Sequence, residues 1–575
     1  MTFVIWLLSN PFLIIMKYKS RTLLSLYKNK VFKSLVVLVG EIRGNVMKEE
    51  YLSEEVVDLE RVVGLELNSS GKAKSGTIDG EQLLESYIGF CNKYKKKRIP
   101  QNLHLDLQLS GDLALDSIDQ VEFLLHVEKT FGLSIDPDKS TNVRTFRDLL
   151  ELINENQDAD AKGGVPGVGI TDLQRHLIEE VPQFYNEVDE QHGRTLKIKG
   201  KEVYDFASAN YLGLDLDERI FAKIEEDLRK WGTHPSWSRA IASPELYTKL
   251  ENTLSHVVGA PRVLVFPTVT LIHMGILPLV ATPDTLFLMD ERAHKSIQEG
   301  VDLAYAKGAL KKFFKHNDLE DLQRELENAR ELDAVYICID GVYSMTGVDA
   351  KLPEMIEMIR DYPNATIYVD DAHGFGLWGS NPSEENPYGT GGGGLLRKYN
   401  IDVNRDKVIY VAGLSKAFSS LGAFVTCRSD AELEMFATAA TFINSGPCPT
   451  ASLSSAQTGL EISQSSEGDE IRRYIFELTK RFVTGVREVG LVAESSDFYP
   501  LVSVEIGTIA AVTEAAKILW EKGILITPAV YPNAPIKRSM LRFTITAANT
   551  IEEIDNAINA LEIVRDLVPS APYYY

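Results

Sequence analysis

An aspartate and a lysine, each closing an apolar run, carry the chemistry that this sequence offers. Asp370 ends Ile367-Tyr-Val-Asp and is followed by Asp371, Ala372, His373 and glycines. Lys416 ends Val408-Ile-Tyr-Val-Ala-Gly-Leu-Ser-Lys. Apolar, β-branched runs of this length, cut off by small residues, read as buried strands. Ligands of an open α/β sheet sit just beyond the carboxyl ends of its strands, so the carboxylate and the amine belong in one crevice. An amine able to form a Schiff base and a carboxylate able to pair with a protonated ring nitrogen are what pyridoxal phosphate (PLP) requires. A lone lysine after a strand is ordinarily a surface group; Asp370 and His373 beside it argue otherwise. Asp371 is the weaker choice for the ring-nitrogen partner.

The elements around these two residues carry further segments. They are Ala207-Ser-Ala-Asn-Tyr-Leu-Gly-Leu, Phe266-Pro-Thr-Val-Thr, Leu288-Met-Asp-Glu-Arg-Ala-His, Gly341-Val-Tyr-Ser-Met-Thr-Gly and Leu541-Arg-Phe-Thr-Ile-Thr-Ala-Ala-Asn. Their order and spacing, with those of Asp370 and Lys416, resemble the α-oxoamine synthases, fold-type I PLP enzymes that include 8-amino-7-oxononanoate synthase and serine palmitoyltransferase. The resemblance spans roughly residues 207–567. It implies an α/β fold with a mostly parallel seven-stranded sheet flanked by helices and a smaller C-terminal α/β domain. It also implies a homodimer with the active site at the subunit interface.

Residue by residue, the resemblance assigns Lys416 to the Schiff base and to later acid and base work. Asp370 pairs with the pyridine nitrogen, which favours its protonated, electron-withdrawing form. His373 contacts the ring oxygen, His294 stacks on the ring, and Ser344 lies near the phenolic oxygen. Thr268, Val269 and Thr270 open a helix whose N–H groups cradle the phosphate. Arg542 holds the substrate carboxylate through two parallel hydrogen bonds. There are departures. Ala209 stands where an Asn or a Tyr is common, so the carboxylate contact some members make there is either absent or supplied by Asn210. Gly413 stands where a phosphate-binding Ser or Thr is usual, leaving Ser415 to compensate, and Asn549 stands where many members have His. His234, Trp237 and Arg239 are candidates for substrate selection. Gly389–Gly394 reads as a mobile flap or plain surface loop, since it lacks the setting of a phosphate loop.

Upstream, Asp116-Ser-Ile-Asp-Gln-Val-Glu-Phe-Leu-Leu-His-Val begins a helical pattern in which Ile118, Val121 and Leu125 form an apolar stripe. Ser117 sits at the helix start, where a serine is commonly just a cap. The longer string, ending Phe-Gly-Leu-Ser-Ile, resembles the acyl carrier proteins over residues 80–155, an all-α four-helix domain. That resemblance implies 4′-phosphopantetheine on Ser117. Asp106–Glu155 holds eleven acidic and four basic residues, a face suited to basic partner enzymes. Residues 156–170, rich in Gly and Asp, read as a flexible linker, and 171–575 as the PLP-dependent domain.

The chain has 575 residues with a net charge of −22, which argues against nucleic-acid binding. Four scattered cysteines without metal spacing point to a reducing compartment, the cytoplasm. Residues 1–46 contrast, with seven Lys/Arg, one Glu and an apolar run Phe3–Met16 too short for a bilayer span. The preferred reading takes Met47 as the true start. A basic helix lying on a membrane surface across 20–39 is the alternative.

Together these readings lead to PLP-dependent decarboxylative condensation of an amino acid with a carrier-bound acyl thioester, giving an α-amino ketone. A phosphopantetheinyl transferase and an acyl-loading enzyme would act in trans. Alternatives are an aminotransferase acting on a carrier-bound carbonyl and a non-catalytic carrier scaffold.

Overall fold

The computed structural model describes residues 79–94, 99–100, 102–109, 111–113, 115, 120, 123–124, 126–127, 130–131, 143–155, 177, 179–495, 497–530, 534 and 538–568. Residues 1–46, Ser117 and the linker 156–170 lie outside them.

Within 79–155, helices α1 (Gly80–Tyr94) and α2 (Phe146–Glu155) share a core with the intervening chain. Leu83, Tyr87, Phe90, Leu115, Phe123, Val127, Phe146 and Leu149 are all buried in it. The edge-on rings of Tyr87, Phe123 and Phe146 pack at 5.1–5.8 Å, as aromatic quadrupoles prefer. At the surface, Arg147 pairs with Asp106 at 2.7 Å.

From residue 190 a small sheet begins with β1 (Glu190–His192), β2 (Thr195–Ile198) and β3 (Lys201–Asp205). Helices α3 (Glu218–Trp231) and α4 (Glu245–Val258) follow. The main sheet comprises β4 (Arg262–Phe266), β5 (Thr285–Asp290), β6 (Leu310–Phe314), β7 (Ala334–Asp340), β8 (Ala365–Asp370), β9 (Val408–Gly413) and β10 (Ala423–Cys427). Its order is β4-β10-β9-β8-β7-β5-β6. Neighbours from β9 across to β6 run parallel, while β10 is antiparallel to both its neighbours. Strands β5, β9 and β10 are buried at every position, as expected where helices cover both faces. This is the mostly parallel seven-stranded sheet that the sequence implies.

Two helices between strands matter to the site. Helix α5 (Val269–Ile276) starts immediately after β4, and α6 (Lys295–Ala306) after β5. The smaller C-terminal part contains β11 (Ala493–Glu494), β12 (Leu501–Gly507), β14 (Thr527–Ala529) and β15 (Ser539–Thr544), paired antiparallel, while β13 (Ile524–Leu525) joins β3. Val502, Val504, Phe543, Ile554 and Leu561 pack under it.

The structure corrects the reading of Gly389–Gly394 as a flap or surface loop. Gly392 and Gly394 are buried, and the segment is tied down along its length. Gly376 N–H donates to the Gly392 carbonyl at 2.8 Å, and Gly394 N–H to the Trp378 carbonyl at 2.7 Å. Gly391 N–H reaches Asp469 Oδ1 at 2.9 Å. At Gly394 φ is +74°, and a Cβ would run into the Tyr410 hydroxyl and the Asp371 carboxyl. Glycine is required there by conformation and by close approach.

Candidate active site

Register places the acidic end of β8 against its neighbours: Asp370 lies opposite Asp340 of β7 and Val411 of β9. Beyond the end of β9, the chain turns through Lys416. Ala417 packs against Gly376, where a Cβ would collide with it, so the His373 turn and the Lys416 turn interlock.

Asp370 is buried and accepts two hydrogen bonds, from His273 Nε2 at 3.0 Å and from Ala372 N–H at 3.0 Å. Burial alone would raise its pKa, but the hydrogen bond and charge of His273, with smaller help from His294, hold it below the ordinary value. Asp370 thus stays a carboxylate. Asp371 points elsewhere: its Oδ2 accepts from Tyr410 Oη at 2.6 Å and Leu395 N–H at 2.8 Å, while Oδ1 is buried without a partner. Burial raises its pKa to about 7. Asp370 is therefore the residue suited to a cationic ring nitrogen.

Lys416 is half-buried, and its amine makes no hydrogen bond to the described residues. Burial, then the charge of Arg542, lowers its pKa against the opposing pull of Asp370. Lowering favours the neutral amine, which is the nucleophilic form.

His294 caps α6 and is held by two contacts: its ring Nδ1 lies 2.7 Å from Ser296 Oγ, and its backbone N–H donates to Asp340 Oδ1 at 2.8 Å. Burial keeps the ring below its usual pKa. His373 is also neutral, pushed well down by burial and then by Lys416 and Arg542.

Thr268 caps α5, its hydroxyl accepting from Leu271 N–H at 3.2 Å. The N–H groups of Val269 and Thr270 stand at the open first turn, as helix geometry dictates. The residue-413 position borders this turn. A Cβ on Gly413 would meet Val269 Cγ2 at 3.2 Å and lie 3.7 Å from Ser415 Oγ. Ser415, which is exposed, thus offers a hydroxyl beside the site of the absent residue-413 side chain.

Arg542, on β15, is half-buried and has no carboxylate partner among the described residues. One nitrogen donates to the Ser344 carbonyl at 3.1 Å, another to Thr527 Oγ1 at 3.4 Å, and Nε has no acceptor. A largely desolvated guanidinium without a counter-ion is a receptor for an anion. Asn210 is differently committed: its side-chain oxygen takes the hydroxyl of Ser419, on the Lys416 turn. Only its amide nitrogen remains for a substrate.

Two expectations are revised here. Arg239 lies 3.8 Å over the Tyr247 ring and 4.9 Å from the Phe442 ring, pairs with Glu251 at 2.9 Å and donates to the Val265 carbonyl at 2.8 Å. Its Nη1 and the face of its guanidinium are committed to clamping this loop. His234 is spent on Ser236 and the Pro447 carbonyl. Asn549, the departure from histidine, is buried and ties Thr546 to Glu553 at the start of the last helix, Ile551–Val564.

Sequence reasoning missed His273, which joins Tyr368 Oη (2.8 Å) to Asp370. It also gave no role to Tyr211, whose hydroxyl lies 2.7 Å from His373 Nδ1.

A carboxylate for a pyridinium, a partnerless amine, a capped helix start for a phosphate and an unpaired guanidinium all fit PLP with an amino-acid substrate. Fold and site thus define a fold-type I PLP transferase. Comparisons agree. The aminotransferase class I and II family matches residues 201–561, and a phosphopantetheine attachment site matches 97–153. The chain is 30% identical over 382 residues to an 8-amino-7-oxononanoate synthase of Thermosipho melanesiensis, covering 66% of this chain and 93% of that protein. It is 28% identical over 391 residues to a serine palmitoyltransferase of Bacteroides ovatus, covering 68% and 94%. In fold it is similar to the Sphingomonas wittichii serine palmitoyltransferase, with a TM-score of 0.62 and 22% identity over 69% of this chain and 97% of that one. The chain belongs to the aminotransferase class I and II family, in its α-oxoamine synthase branch, with a phosphopantetheine-attachment domain ahead of the catalytic one.

Proposed function

We propose that the protein condenses an amino acid with an acyl group held as a thioester on phosphopantetheine at Ser117, releasing carbon dioxide and giving an α-amino ketone. The observation that carries this reading is the electrostatic proximity of Lys416 to Asp370 and to Arg542, the latter without a carboxylate partner among the described residues, with a carrier domain on the same chain. PLP, when bound, supplies the electron sink that makes the amino acid's Cα acidic.

The remaining work falls to the chain. Asp370, kept ionised by His273, holds the ring nitrogen protonated; Thr268, Val269 and Thr270, with Ser415, hold the phosphate. His294, His373 and Ser344 hold the ring and its oxygen. Arg542, with the Asn210 amide nitrogen, anchors the carboxylate. Lys416 takes the Cα proton and later returns one there, as a low-pKa amine suits. The bond formed joins Cα to the acyl carbon; the bonds broken release the phosphopantetheine thiol and carbon dioxide.

Tethering donor and catalyst on one chain raises effective concentration. A phosphopantetheinyl transferase and an acyl-loading enzyme acting in trans complete this scheme, and a homodimer is the assembly we expect. Cys338, Cys427 and Cys448 are buried thiols outside any disulfide, which supports a reducing compartment, the cytoplasm. Among the described residues, no helix is long and apolar enough to cross a membrane.

The test incubates the phosphopantetheinylated, acyl-loaded protein with carboxyl-labelled amino acids. Label released as carbon dioxide with one amino acid, and lost in Ser117→Ala, supports the reading and names the substrate. Amine appearing on the acyl chain without release would make it an aminotransferase.

A further inference from the structure

The buried dipeptide Asn210-Tyr211 reaches two active-site turns at once. Asn210 binds Ser419 on the Lys416 turn, and Tyr211 binds His373. Tyr211 is inaccessible to solvent, and its hydroxyl has one hydrogen-bond partner among the described residues, His373 Nδ1. Its ring sits edge-on to His373 at 6.1 Å and to Tyr499 at 6.3 Å. Tyr499 in turn donates to the His373 carbonyl and stacks on Trp378 at 5.5 Å. Two tyrosines from separate loops therefore grip the histidine, one at the ring and one at the backbone.

A neutral imidazole carries one N–H. If that proton were on Nδ1, Tyr211 Oη would accept it and its own O–H would be buried with nothing to bind, an arrangement proteins avoid. If Tyr211 donates, the only N–H of the ring stands at Nε2. We propose that Tyr211 is a positioning residue that fixes His373 in the tautomer bearing its proton on Nε2, the nitrogen left to donate to the phenolic oxygen of the cofactor. This rests on the PLP reading above.

The experiment uses the full-length, cofactor-loaded protein. The visible absorbance of bound PLP is titrated with pH in wild type, Tyr211→Phe, His373→Asn and the double variant. Loss of an N–H donor makes the phenolic oxygen more basic, so the midpoint in Tyr211→Phe should move upward by about one pH unit. The double variant should shift no further than His373→Asn, because the two residues act through one contact. A midpoint unmoved in Tyr211→Phe but moved in His373→Asn, or shifts that simply add, would overturn the proposal. Nitrogen NMR of histidine-labelled wild type, assigned through His373→Asn, covers the case in which Tyr211→Phe does not fold. A proton on Nδ1 would overturn the proposal, and a proton on Nε2 would support it. A wild type that takes up no PLP would overturn the functional reading as well.

Discussion

Asp370 Oδ2 and His273 Nε2 are 3.0 Å apart and both residues are buried, so the Asp370 carboxylate is held ionised by a neighbouring buried histidine. His273→Leu should leave the fold intact but let burial protonate Asp370. We expect kcat to fall about 10- to 100-fold, the scale of one lost buried hydrogen bond to a charge. Steady-state rates measured with constant PLP occupancy would show it; an unchanged kcat would remove His273 from the mechanism.

Asp371 gives the protein a pH-dependent stability of defined sign. Its folded pKa of about 7 stands above the ordinary 3.8, so the folded state binds the extra proton. Stability contributed by this group is present below about pH 4 and declines as pH rises toward 7. Asp371→Asn should flatten that decline, gaining on the order of a few kcal/mol relative to wild type above neutrality. Urea unfolding at pH 5 and pH 8 gives the comparison, and parallel losses in both proteins would refute it.

Lys416→Ala should abolish the covalent link to PLP, removing the visible absorbance and lowering turnover by about a thousandfold or more. Cofactor should still bind through the remaining contacts, detectable after dialysis. Retained turnover would move the proton transfer to another group.

For Arg542→Lys the effect should fall on substrate. A point charge cannot reproduce two parallel hydrogen bonds to a carboxylate, so KM for the amino acid should rise about 10- to 100-fold. A rise in KM for the acyl donor instead would reassign the residue.

Much of the fold was legible because largely buried strands such as β8 and β9 are written mostly as apolar residues, and the ends of these runs advertise Asp370 and Lys416. A local helix-start signal marked Thr268, whereas His294 was reached through the family resemblance alone; both cap helices in the structure. What could not be read were partnerships made through space. His273 lies 97 residues from Asp370, and nothing in its helix reveals which strand end it will face. Arg239 misled for the opposite reason: a loop arginine beside aromatics looks chemical until Tyr247, Phe442 and Glu251 are seen to enclose it. The glycines of 389–394 misled through composition, because richness in glycine signals either freedom or crowding.

That last segment bears on how the protein can be handled. By composition it is where an engineer would splice a tag, a fluorescent label or a permuted terminus. Its backbone is instead wedged between the Gly376 turn and the Asp371 side chain, next in sequence to Asp370. Insertions there would be transmitted to catalysis at once.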